Sequence, residues 1–201
     1  MLINNQYYFI HIPRTGGRYI EQLFANNNYT VRFNDYEFIF KEYLKLRNVE
    51  VPHFEYPYFF KLTDKKNLET FTVVRDPVTR FASSLRATFK IHNIEMNQEN
   101  IVEIFKEFTF FVNRQIIHWP NNWFLPQTNF VSFETKIWHY ENGLEEDFLQ
   151  WLKDNFDFTF KIFDFERSIA YFDDNDSLEF TKDQINIIKN YYYKDYKVIY
   201  G

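Results

Sequence analysis

The chain contains no cysteine, which removes disulfides, thiolate metal sites and cysteine nucleophiles from consideration at once. Glycine is nearly as scarce, at 4 of 201 residues. No apolar run reaches the roughly 18 residues that a membrane-spanning helix needs. Residues 1–12 hold no basic stretch leading into a long apolar core, so no secretory leader is read there. A soluble cytoplasmic protein is the expectation. The five histidines show neither HxxxH nor HExxH spacing, so no metal is expected. The GxxxxGK[ST] pattern of a Walker A loop is missing as well.

What remains is a globular composition: 45% hydrophobic and 25% charged residues, at a length that suits one domain over 1–201. Aromatic residues reach 22% and read as a bias toward Phe, Tyr, Asn, Lys and Ile. The net charge of −5 argues against a general binder of polyanions, and no nucleic-acid partner is expected. The charge is uneven. Residues 1–92 carry 13 Lys and Arg against 9 Asp and Glu, and residues 93–201 carry 10 against 19. An anionic ligand therefore belongs to the first half.

Two strand-loop-helix units stand out. Residues 7–12 read as a buried strand, Pro13-Arg14-Thr15-Gly16-Gly17 as a tight loop, and residues 18–25 as a helix with Ile20, Leu23 and Phe24 on one face. Half of all the glycine lies in that loop, where the backbone must approach something closely. Residues 70–74 form a second β-branched, aromatic strand. Arg75-Asp76-Pro77 ends it, and Pro77 opens a helix to about residue 90. Further helices are predicted over 36–47, 99–113, 144–155 and 182–193, the last capped by Thr181. A further strand is predicted over 130–133. The alternation implies an α/β fold with a mostly parallel sheet.

The first loop offers backbone N–H groups at a helix N-terminus, with Arg14 and Arg18 adding positive charge, which suits an anion. An ordinary βα turn with two solvated arginines fits the same residues. Arg75 falls at the carboxyl end of its strand, where open α/β sheets place ligands, and presents a bidentate fork. Ser83 follows eight residues later on the next helix. An Arg75 paired with a carboxylate and a Ser83 on the helix surface is the plainer alternative.

Taken together, the loop and the Arg75-Asp76-Pro77-Val78-Thr79-Arg80-Phe81-Ala82-Ser83 segment resemble two motifs of the sulfotransferases that use 3′-phosphoadenosine 5′-phosphosulfate (PAPS). These motifs are Pro-Lys-Thr-Gly-Gly-Thr-Ser and Arg-Asp-Pro-x-x-Arg-x-x-Ser. The chain is similar to the carbohydrate sulfotransferases, above all the heparan sulfate 2-O type, over roughly residues 7–25 and 70–90. Weaker echoes lie at His118-Trp119-Pro120 with Pro126-Gln127, at Ile137 to Phe148, and at Tyr193-x-Asp195-Tyr196.

The resemblance implies a P-loop-kinase-like fold, a three-layer parallel sheet flanked by helices. It implies sulfuryl transfer from PAPS, with PAP as product and no metal, to a hydroxyl of a glycan-like acceptor. By it, Arg14, Thr15, Gly16, Gly17 and Arg18 hold the 5′-phosphosulfate, and Arg75 and Ser83 hold the 3′-phosphate. Arg14 stands where the family has lysine, so it stabilises charge without donating a proton. Arg18 and Tyr19 replace the usual Thr-Ser pair. His53, 22 residues ahead of Arg75, is the candidate base, with His118 and Glu55 next. His11, on a buried strand, is expected to pack in the core. Trp119 and Trp123 suit either sugar stacking or core packing. An ATP-dependent kinase of related fold, and an inactive nucleotide- or glycan-binding domain, are the alternatives.

Overall fold

A computed structural model describes residues 1–32, 68–113, 122–161 and 178–201. The predicted helix over 36–47, His53, Glu55, His118 and Trp119 lie outside these residues.

Among the described residues five strands form one sheet: β1 (Leu2–Ile3), β2 (Tyr7–Ile10), β3 (Val31–Arg32), β4 (Glu69–Val74) and β5 (Lys136–His139), in the order β3-β1-β2-β4-β5. β2, β4 and β5 are parallel, with Phe9 opposite Phe71 and Phe71 opposite Lys136. β1 is antiparallel to both of its neighbours. It alone runs against the rest, so the sheet is mixed. The helices are α1 (Gly17–Asn26), α2 (Pro77–Ile91), α3 (Gln98–Asn113), α4 (Glu146–Phe156), α5 (Lys182–Tyr191) and α6 (Tyr193–Ile199).

Alternation along the strands sorts the core into two sheet faces. Ile3, Phe9, Phe71 and Val73 pack with Ile20, Leu23 and Phe24 of α1 and with Phe148, Leu152 and Phe156 of α4. Tyr8, Ile10 and Val74 meet Leu125 and Phe130 on the other face, where Ile199 joins them from α6. A third cluster joins Phe81, Leu85 and Phe89 of α2 to Phe105 of α3 and Ile188 of α5. Trp123 and Phe124 belong to it too. The segment 122–130 thus sends Leu125 and Phe130 to the sheet and Trp123 and Phe124 to the helices. Thr72, buried in β4, donates its hydroxyl to Ile10 O at 2.7 Å, which removes the penalty of a polar group in the sheet.

The strand predicted over 130–133 is corrected. Phe130 ends a 3-10 turn, Gln127–Asn129, and the strand lies at Lys136–His139. Phe130 is buried as a core anchor and its apolar character misled the periodicity. The C-terminal helix predicted as one is two, broken at Tyr192. Its start at Thr181 agrees, in a full capping box with Gln184. Among the described residues, no helix is long and apolar enough to cross a membrane.

Candidate functional site

The three parallel strands end at one edge of the sheet, and the loops that follow them meet there. The loop after β2 turns through two left-handed residues, Arg14 (φ 69°) and Gly16 (φ 87°). For arginine that conformation costs about 1–2 kcal/mol, and such strain gathers at working sites. Thr15, fully buried, donates its hydroxyl to Ile12 O at 2.9 Å and braces the turn from within. Among the described residues, the N–H groups of Gly16 and Gly17, where α1 begins, have no hydrogen-bond acceptor. Arg14 extends to α2, its Nε donating to Ser83 Oγ at 3.2 Å. Its guanidinium lies 5.8 Å from the Trp123 ring centroid.

After β4, Arg75 stacks on Tyr140, with 4.6 Å between guanidinium and ring centroid, and donates from Nε to Thr79 Oγ1 at 3.2 Å. Among the described residues it pairs with no carboxylate. Asp76 caps α2, its Oδ1 accepting from Thr79 N–H at 3.0 Å. The Asp76 N–H donates to Glu141 Oε1 at 2.6 Å, which ties the loop after β5 to the end of β4. Tyr140 also borders the glycine loop: a Cβ on Gly16 would lie 3.2 Å from its ring. One tyrosine therefore lies between the glycine loop and Arg75.

Arg80 holds the arrangement from below. It is fully buried, and it donates to Pro13 O at 3.4 Å, to Trp123 O at 3.0 Å and to Leu125 O. Its guanidinium rests over the Tyr192 ring. Burial holds the Tyr192 phenol well above its ordinary pKa, with Arg80 opposing; that hydroxyl donates to Phe124 O at 2.7 Å.

No family model, curated protein or solved structure matches this chain. The chemistry of this edge therefore rests on its own residues. Arg14, Thr15, Gly16, Gly17, Arg18 and Arg75 belong to the loops and the helix start at this edge, whereas Ser83 lies two turns into α2 and joins them through Arg14. Ser83 meets Arg14, whereas Arg75 reaches Thr79, one turn nearer the start of α2. Arg18 is exposed on the first turn of α1. Trp123 is buried in the helical cluster and is not a sugar platform. Among the described residues, no three His, Asp or Glu side chains gather in a metal-ligand cluster. Tyr140, Gln127 and Asp195 fall within the weaker sequence echoes, but what each of them touches, a neighbour far along the chain, appears only in the fold.

His11 sits directly behind the loop. Its Nδ1 is 2.7 Å from Glu21 Oε1; a carboxylate only accepts, so Nδ1 carries the proton. Burial lowers the His11 pKa, opposed by the hydrogen bond and charge of Glu21 and reinforced by the charge of Arg18. The unfolded chain then takes up a proton before the folded one does. Stability from this group is complete above the unfolded value of about 6.5 and is lost as pH falls below it. Urea unfolding of wild type and His11→Gln at about pH 7.5 and about pH 5.5 checks this. Wild type is expected to lose more stability between the two than the variant does, and equal losses would contradict it.

Proposed function

We propose that this edge of the sheet binds a nucleotide carrying separate 5′ and 3′ anionic groups, and that the protein is a sulfotransferase that uses PAPS. The observation that carries the reading is the contact between Arg14 and Ser83, 69 residues apart. It joins the glycine loop to the Arg-Asp-Pro helix at the carboxyl edge of the parallel strands, as the pairing of the two motifs requires. The finer fold assignment, a P-loop-kinase-like domain with three layers, belongs to the same proposal. The free N–H groups of Gly16 and Gly17 and the guanidinium of Arg14 suit a 5′-phosphosulfate. Arg75, stacked on Tyr140 and without a carboxylate partner among the described residues, suits a 3′-phosphate.

In the proposed reaction an acceptor hydroxyl attacks sulfur as the bond from sulfur to the bridging phosphate oxygen breaks. PAP leaves with the bond's electron pair, and the hydroxyl proton passes to a base, for which His53 is the candidate. Arg14 stabilises the charge that grows on the bridging oxygen. The acidic balance of residues 93–201 favours an uncharged sugar hydroxyl over a heavily sulfated polymer.

Calorimetric titration with PAP and with ATP tests the reading. PAP is expected to bind wild type and to bind Arg75→Ala at least about tenfold more weakly, the effect of one lost charge-assisted contact. Tight ATP binding with no response to PAP would replace this reading with a kinase. Binding of neither would leave a domain without a nucleotide site.

A further inference from the structure

The Arg75–Asp76 dipeptide is held from two sides, by Gln127 of the 3-10 turn and by Tyr196 of α6. Gln127, fully buried, closes a pair of hydrogen bonds on the Arg75 backbone. Arg75 N–H donates to Gln127 Oε1 at 2.9 Å, and Gln127 Nε2 donates to Arg75 O at 2.9 Å. Gln127 is placed in turn by Asp195 of α6. The Asp195 carboxylate, also fully buried, accepts from Gln127 N–H at 2.8 Å, from Thr128 N–H at 2.9 Å and from the Thr128 hydroxyl at 3.0 Å. The next residue, Tyr196, donates its hydroxyl to Asp76 Oδ2 at 3.1 Å.

A buried carboxylate and a buried amide are both costly unless their hydrogen bonds are met. Here they are met in a chain that links Asp195 of α6, through Gln127, to the backbone of Arg75 just after β4. Burial, and after it the nearby Asp76 charge, push the Tyr196 phenol above its ordinary pKa, so it remains a donor to that carboxylate. The contacts span 52 residues from Arg75 to Gln127 and 120 from Asp76 to Tyr196. None of the three side chains is needed to cap α2, since Asp76 Oδ1 does that through Thr79.

We infer that Asp195, Gln127 and Tyr196 are positioning residues, by which α6 fixes the backbone of Arg75 and so aims its guanidinium into the anion site. The inference rests on the reading of Arg75 as an anion-binding residue.

Two measurements test it. PAP titrations compare Gln127→Met and Tyr196→Phe in the wild-type and Arg75→Ala backgrounds. Each change is expected to weaken PAP by about tenfold when Arg75 is present and to have no further effect when it is absent. Equal losses in both backgrounds would overturn the inference, because a merely structural role weakens both alike. Tyr196→Phe removes a single hydroxyl and carries this test if Gln127→Met does not fold. Amide hydrogen exchange by NMR supplies the second readout and needs no ligand. In Asp195→Asn the Arg75 N–H is expected to exchange faster while amides of α1 stay unchanged; unchanged exchange at Arg75 would overturn the relay. If wild type fails to bind PAP, the nucleotide reading falls, and exchange alone then decides whether α6 holds Arg75.

Discussion

Gly17→Ala is expected to unfold more readily than any other single-methyl addition in the loop. An added Cβ would lie 2.1 Å from His11 Cδ2 and Nε2 and 2.6 Å from Cε1. The ring cannot swing clear. Its Nδ1 is tied to Glu21, it stacks on Phe9 at a centroid distance of 5.8 Å, and it is buried. Overpacking of this kind costs about 1–3 kcal/mol and occasionally more. In a domain of this size each kcal/mol lowers Tm by about 2–4 °C. Gly16 makes the useful contrast: its φ of 87° disfavours alanine, but the nearest obstacle, 2.7 Å away, is the flexible tip of Leu144. Thermal unfolding of both variants, with His11→Ala/Gly17→Ala as a rescue, checks the cause. Removing the ring should make Gly17→Ala much less harmful. If Gly17→Ala melts with wild type, or the double variant is no better, the His11 ring does not fill the space behind the loop.

Arg80→Met is expected to cost about 3 kcal/mol or more, since each buried group left without its partner forfeits about 1–3 kcal/mol. Methionine has similar length and is apolar, so packing over Tyr192 is largely kept. What is lost is the donor to three carbonyls drawn from two separate segments, the Pro13 loop and the Trp123–Leu125 stretch. Pro13 O and Leu125 O stay behind in a buried site, while Trp123 O keeps the Ser84 hydroxyl at 3.1 Å. Replacing an ion pair by apolar residues removes both partners and can be neutral; here only one partner is removed. Arg80→Lys keeps the charge but not the planar fork, so it should recover only part of the loss. Urea midpoints of the three proteins measure the series. Equal midpoints for Arg80→Met and wild type would mean that water reaches the carbonyls and that Arg80 does not hold the loop.

The sequence carried much of this architecture because local rules decide it. The apolar stripe of Ile20, Leu23 and Phe24, Pro77 at the first turn of α2, and Thr181 with Gln184 each act within a few residues. β1 and β3 were not legible: each has two residues, too few for a period, and they exist because the edge of β2 needs a partner. β5 was missed because Ile137 and Trp138 are flanked by Lys136 and His139, and its pairing with β4 supplies the order that its own pattern lacks. The same division holds for the candidate site. The glycine loop and the Arg-Asp-Pro segment are local and readable. Arg80 was visible as a motif residue, yet its burial beneath Pro13 depends on contacts 67 residues apart. Gln127 and Asp195 were visible as faint echoes, but their bonds to Arg75 and to each other form only once the chain has folded back on itself.

Arg14 sets fold and chemistry against each other at a single residue. Its backbone holds φ 69°, a conformation in which glycine or asparagine would be at ease. A lineage selected only for heat tolerance would drift toward those residues at this position and lose the cation that meets Ser83. Retention of arginine under such pressure would show that the side chain is held for something other than the stability of the loop.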